Sequence, residues 1–320
     1  MLWYVARRLA GTVGLLVAVV VATFGLIHLA PGDVAQVLAG QSGDPQYLAD
    51  LREQFSLDRS LGYQISAYLL NVVRGDLGFS VVQGQPVLDA ILGRLPATLL
   101  LAGTSLTIAW AGGVLLGVLA ASRPGSRLDA GISIVSLVGY SIPVFWFGQL
   151  LVALLAVRLG WLPAGSMTSA GEQLGAFERV LDVARHLILP TVTLGTLLMA
   201  LVIRTTRAAM LDVLGDDYVM AARGRGIREE AVLLRHALRN ALRPVITVIT
   251  AELGVVLGVM VLVEAVFSWP GLGTLLLDSV LSRDTPTLVG LLLFSSFVVA
   301  AANLLGDLLY MWVDPRVRYR

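Results

Sequence analysis

Six stretches of this chain stay apolar over lengths that match a bilayer: 9–29, 95–121, 128–157, 186–203, 245–267 and 287–312. A hydrocarbon core about 30 Å thick takes roughly 20 helical residues to cross. Every backbone group inside lipid must find its partner within the segment, which makes these stretches helices. The bulk composition agrees. Of 320 residues, 57% are hydrophobic and 14% charged, and mean hydropathy is +0.81. The expectation is an all-α polytopic membrane protein with six transmembrane helices.

Arginine placement orients the spans. All 23 basic residues are arginine. Fifteen fall at 7, 8, 123, 127, 204, 207, 223, 225, 228, 235, 239, 243, 316, 318 and 320, in short connections and at the two ends. The other eight are spread over far longer connections. Positive charge collects in the cytoplasm, so both termini are expected there. The first apolar stretch also invites reading as a signal peptide. Its length and the lack of a small-x-small site favour an uncleaved span. The chain then divides into three segments: 1–30, the N-terminal segment and first helix; 31–94, an acidic extracytoplasmic loop with short helices; and 95–320, a core of five helices with a cytoplasmic loop at 209–243. Pro143 falls inside the third span and predicts a kink. Pro190 is expected in the first turn of the fourth.

The cytoplasmic loop is the most distinctive stretch. Eight arginines lie between Arg204 and Arg243. At a bilayer centre each would cost ~2.5–3.5 kcal/mol, so the segment belongs in water. Ile227, Ala231, Leu234, Leu238 and Ala241 repeat at steps of four and three, one apolar stripe on a helix. Arg228, Arg235 and Arg239 lie off it. A solvated amphipathic connector accounts for that spacing as well as a docking element does.

Residue types exclude several functions. Without cysteine there is no disulfide, thiolate metal site, cysteine nucleophile or acylation site. Without lysine there is no Gly-Lys-Ser/Thr phosphate loop, so ATP, if it drives this protein, binds elsewhere. Three scattered histidines (28, 186, 236) and no Gly-x-Ser-x-Gly argue against an intramembrane enzyme and a metal centre. A stand-alone secondary transporter would show internal repeats around paired charges, and the halves show none. A net charge of +1 gives no footprint for nucleic acid. Arg74-Gly75-Asp76 spells an adhesion triplet, but so short a motif is common by chance. Of the intramembrane acids, Glu264 lies near an outer end where it can snorkel or pair, and Glu252 lies deeper.

Several motifs fall in one order: Arg7-Arg8, Pro31-Gly32-Asp33, Arg74 to Ser80, Asp217 to Gly226, Ser268 to Gly273 and Asp314 to Arg318. Together they resemble the permeases of binding-protein-dependent ABC importers, in the oligopeptide/dipeptide/nickel branch. Ala221, Ala222 and Gly226 match the Ala-Ala and Gly of that family's EAA loop, and Met220 stands where the pattern has Glu. The resemblance implies a type I importer permease in a bacterial cytoplasmic membrane, surrounded by lipid. It implies a coupling helix that docks on an ATPase, with Asp217, Tyr218, Ala221, Ala222, Arg223, Gly224, Gly226, Arg235, His236 and Asn240 in the coupling site. Both alanines are expected to pack against the partner, Gly226 to allow a turn, and the arginines to steer. Its implied partners are a second, homologous permease, two ATPase subunits that bind ATP and Mg, and an extracytoplasmic solute-binding protein. The chain itself is expected to bind no cofactor or metal and to catalyse nothing. The solute is expected to be a di- or oligopeptide, with nickel or another small solute as the alternative. Glu252 and Pro143 are weaker candidates for the translocation path.

Overall fold

The structure, a computed structural model, describes residues 2–29, 34–39, 44–54, 59–80, 82–169, 171, 175–251 and 253–313. Pro31-Gly32-Asp33, Glu252 and Asp314 to Arg318 lie outside them. In chain order the elements are α1 Leu2–Leu29, α2 Val34–Ala39, α3 Pro45–Gln54, α4 Leu61–Val73, β1 Phe79–Ser80, β2 Gln85–Pro86, α5 Val87–Ser122, α6 Arg127–Ser141 and α7 Val144–Leu151. A π-helical turn, Val152–Arg158, extends α7. Then come α8 Ala176–Leu214, α9 Asp217–Gly224, α10 Glu229–Ala231, a second π turn at Val232–Ala237, α11 Leu238–Ala251, α12 Leu253–Val266, α13 Leu272–Leu281 and α14 Thr285–Val313.

Among the described residues three helices are long and apolar enough to cross a membrane: Val87–Ser122, Ala176–Leu214 and Thr285–Leu304. The pair Arg127–Ser141 and Val144–Arg158 makes a fourth if taken as one span, bent by 102°. Ala10–Leu26 and Gly254–Val266 are shorter apolar helices within the first and fifth expected spans.

The bend follows from local chemistry. A residue before proline is driven out of the helical region, and Ile142 sits at φ −77, ψ 129. Its N–H still closes the last turn of α6 on Val138. Helix then restarts after Pro143. The expected kink is thus a break.

Two other helices differ from expectation. α5 starts at Val87 and carries Pro96 inside it, and α8 starts at Ala176, so Pro190 is an interior residue rather than part of the first turn. The added first turns of α8 hold Glu178, Arg179, Asp182 and Arg185, which hydropathy assigns to a loop. They are helical because their ends are satisfied. Glu178 accepts from the Gly175 N–H at 3.0 Å, and Asp182 accepts from the Ser169 N–H and hydroxyl at 2.8 and 2.7 Å.

The chain divides into two compact units that cut across the three sequence segments: Met1–Thr98 with Pro270–Leu304, and Leu99–Trp269 with Leu305–Arg320. The first unit has a core of Val20 and Phe24 from α1, Leu51 from α3, Tyr68 from α4, Leu77, Ile91 from α5, Leu275 from α13 and Leu291 from α14. Phe24 and Tyr68 meet ring to ring at 5.4 Å. The stretch from Arg74 to Ser80 ends there in a lock. The Ser80 and Thr287 hydroxyls both donate to the buried Asp284 carboxylate, the second at 2.6 Å. Asp76 accepts from the Gly78 N–H at 2.9 Å, so the Arg-Gly-Asp triplet is a folded turn.

In the second unit, α5 and α8 pack at close range through small residues. A Cβ at Gly113 would stand 2.6 Å from Val202 Cβ, and one at Gly117 2.6 Å from Thr206 Cβ. Membrane helices associate by such contacts because lipid supplies no hydrophobic drive between them. Below them lies an apolar cluster of Val118, Ala121, Ala209, Met210, Ala237, Ala241 and Val245. It ties the loop to α5, α8 and α11. Glu264 is fully buried rather than snorkelling to solvent. His186 is buried too, with Nδ1 2.9 Å from the Asp182 carbonyl.

Candidate coupling site and translocation groove

Asp216 precedes α9 in extended conformation (φ −72, ψ 147), and its carbonyl accepts from the N–H groups of Val219 and Met220. Asp217 supplies a negative charge to the first turn, where it complements the helix dipole. The far end closes by a paired pattern. The Gly226 N–H bonds to the Arg223 carbonyl at 2.9 Å, and the Ile227 N–H reaches back to the Ala222 carbonyl at 3.3 Å. This is a Schellman ending. It needs a left-handed residue after the cap, and Gly226 has φ +75. Gly226 therefore makes the turn the sequence assigns to it.

α9 is two-sided. Val219 and Ala222 face inward and are buried with Val232, against Val213, Leu214 and Ile227. Met220 is 61% exposed and Tyr218 40%, and Ala221 is exposed with them. The two alanines thus have opposite surroundings. Ala222 seats α9 on the end of α8, and Ala221 lies on the open face. Tyr218 joins α9 to the second π turn and α11. Asn240 Nδ2 donates to its hydroxyl at 2.7 Å, and the hydroxyl approaches the His236 carbonyl at 3.4 Å. The family resemblance groups these three residues, and in the structure they are neighbours.

Arg223 is paired within the loop. Its Nη2 and Nε donate to the two Glu229 oxygens at 2.7 and 3.2 Å. That bond holds the Glu229 carboxyl below the usual carboxylate range and raises Arg223. Gly224, Arg225 and Arg235 remain exposed.

The expected apolar stripe is displaced. Leu234 is 57% exposed, and the buried positions are Val232, Ala237, Ala241 and Val245, at steps of five, four and four. The step of five is the π turn at Val232–Ala237, which holds one more residue than an α turn. A strict 3.6-residue period cannot pass through it.

Along α8 the second unit carries a groove. At the loop end a cavity of about 810 Å³ is lined by Ser133, Tyr140, Arg204, Thr205, Asp212 and Pro244 among others. The Arg204 guanidinium lies 5.6 Å from the centre of the Tyr140 ring. Tyr140 and Leu201 also line the next cavity, about 300 Å³, with Val255 and Val259 of α12. Leu197 continues it into a third, about 160 Å³, bounded by Ile142 and Val144 on either side of Pro143. Polar and charged groups therefore crowd one end, and apolar walls the other.

The pair Asp129–Arg207 escaped the sequence reading. Arg207 Nε and Nη2 donate to the two carboxylate oxygens of Asp129 at 2.6 and 2.8 Å. A contact between residues 78 apart leaves no periodicity. The signals present were an isolated acid in an arginine-rich connection and Ser126 three residues before it, a helix-start pattern. Among the described residues no group of three or more His, Asp or Glu is placed to hold a metal.

Long apolar helices, one pair of them broken at a proline, beside a capped polar loop are the architecture of a polytopic membrane protein. Residues 1–102 match the family described as binding-protein-dependent transport system membrane component, N-terminal, and residues 113–319 the binding-protein-dependent transport system inner membrane component. The chain belongs to this family. It is 40% identical to the oligopeptide transport system permease protein AppB of Bacillus subtilis, with 99% of each chain covered. It is 39% identical to the di/tripeptide permease DppB of Pseudomonas aeruginosa and 41% to the glutathione permease GsiC of Escherichia coli, with full coverage of both. Among solved structures, a chain of the MetNI methionine ABC transporter in inward-facing conformations matches with a TM-score of 0.57 at 18% identity. The match covers 70% of this chain and 96% of that one and supports the same fold.

Proposed function

We propose that this chain is one of two homologous permease subunits of an ATP-driven importer that moves short peptides across a bacterial cytoplasmic membrane. It crosses six times with both termini cytoplasmic. α9 docks on an ATPase subunit, which binds ATP and Mg, and an extracytoplasmic binding protein delivers the solute. Relatives named for oligopeptides, di/tripeptides and glutathione support the peptide class.

The two-sided packing of α9 carries the coupling role. Its inner face is fixed to α8, so force applied at the outer face of Tyr218, Met220 and Ala221 reaches a membrane helix. A solvated connector needs no such seating. The groove along α8 is the chain's share of the path, with Pro143 at its narrow end and Arg204 at its polar end. Glu252 keeps its place as a weaker candidate for that path.

Reconstitution into liposomes with the ATPases and binding protein tests the proposal. ATP-dependent uptake of a labelled di- or tripeptide is expected, and Gly226→Val is expected to lower uptake per ATP hydrolysed. Normal transport by an assembled Gly226→Val complex would remove the coupling assignment.

A further inference from the structure

Asp129 is the one acidic residue between Asp89 and Glu172, and only 4% of it is exposed. Besides the two donors of Arg207, its carboxylate accepts from the Gly125 N–H at 2.9 Å and the Ser133 hydroxyl at 3.4 Å. Its own N–H donates to Ser126 Oγ at 3.2 Å. One side chain therefore fastens the turn before α6, the first turn of α6 and the side of α8. A planar guanidinium bound at two points fixes angle as well as distance, which a lysine or a single hydrogen bond does not.

The position of this clamp gives it a use beyond stability. Arg207 lies seven residues before Leu214, about 10 Å of helix rise above the end of α8. α9 begins just beyond, at Asp217. In the other direction α6 runs from the clamp to the break at Pro143. Near that end Gly139 lets α6 approach α8 closely, since a Cβ there would stand 3.1 Å from Thr196 Cγ2. α6 is thus held to α8 by charge at its base and by close packing near its top. Arg207 lines the polar end of the groove together with Arg204, and of the two it is Arg207 whose charge is paired with Asp129.

We infer that Asp129 and Arg207 form a rigid strut that passes movement of α8, received at the coupling loop, to α6 and so to the Pro143 break that narrows the groove. Asp129 is a positioning residue of the transport cycle. This rests on the coupling role proposed above.

The test uses the whole importer in liposomes. It compares wild type, Asp129→Asn, Arg207→Gln, Arg207→Lys and the Asn/Gln double variant for complex assembled, ATP hydrolysed and peptide taken up per ATP. Each neutral single variant should assemble and hydrolyse ATP while uptake per ATP falls roughly tenfold, and the double should fall no further, because either change breaks the same strut. Arg207→Lys keeps the charge and loses the two-point geometry, and should also lose uptake per ATP. Independent roles would multiply to about 100-fold in the double and overturn the inference. So would wild-type uptake per ATP in Arg207→Lys. Less assembled complex with unchanged uptake per ATP would show a purely structural pair, and overturns it equally. Failure of the importer reading itself has a separate signature, a wild-type complex without ATP-dependent uptake.

Discussion

A side chain added at position 226 meets nothing within 4 Å, so replacing Gly226 acts through its backbone alone. A β-branched residue held at φ near +75 costs about 1–2 kcal/mol. Gly226→Val should leave expression and insertion near wild type and loosen the α9 ending, read as faster proteolysis between 222 and 230. Unchanged proteolysis would show that the turn carries no strain. The Arg223–Glu229 bond has a different signature. Both side chains are substantially exposed, so its net contribution is small, about 0–1 kcal/mol. Glu229 is lowered in the folded chain, so what the bond contributes is present above the ordinary glutamate value and lost as pH falls through the lowered one. In the wild type this pair should therefore add no pH dependence to uptake per ATP between pH 6 and 8. Glu229→Gln, which removes the bond at every pH, should stay within about 1 kcal/mol of wild-type stability across that window. A pH-dependent loss in the wild type that the variant abolishes would contradict this account. At this scale the sequence showed Gly226 clearly, because its need is local. The opposite facing of Ala221 and Ala222 was hidden, since it depends on where α8 ends and Val232 returns.

Elements were legible where the signal is periodic or where proline acts. Three of the apolar spans, a fourth across the bent pair, and the interruption at Pro143 could be read directly. Helix ends could not. Hydropathy marks the part of a helix that suits lipid, and α8 extends ten residues before that part on hydrogen bonds from Ser169 and Gly175. The π turn defeated the stripe reading for a related reason, since one added residue rotates everything after it. This gives a sharp expectation. Deleting exposed Leu234 should convert the turn to ordinary α-helix and keep Val232, Ala237 and Ala241 on one face. Stability of the purified complex should change by no more than ~1 kcal/mol, the centre of the range for single changes of all kinds. Ala237→Arg, which puts charge into that buried face, should prevent assembly. Equal damage from both would show that the extra residue is itself required.

For the whole molecule, the positive-inside count and the order of motifs pointed to family and architecture before any coordinates, and the division into two units did not follow from them. Units form from helices distant in sequence: α13 and α14 join the N-terminal unit through Leu275, Leu291 and the Asp284 lock. Periodicity carries no record of such pairing. The proposed topology is open to direct labelling, because the chain has no cysteine of its own. A single cysteine at position 60 should react with an impermeant reagent from the extracytoplasmic side alone. Reaction only from the cytoplasm would invert the orientation.

The central claim is that the outer face of α9 meets the ATPase while its inner face holds α8. Single cysteines at 221 and 222 separate the two faces within one step of chain. In the assembled importer, cysteine at 221 should cross-link to the ATPase subunit through a short reagent, with a yield that changes when ATP is bound. Cysteine at 222 should give no such product. Cross-linking from 222 and not 221, or from neither in a complex that transports normally, would contradict the account.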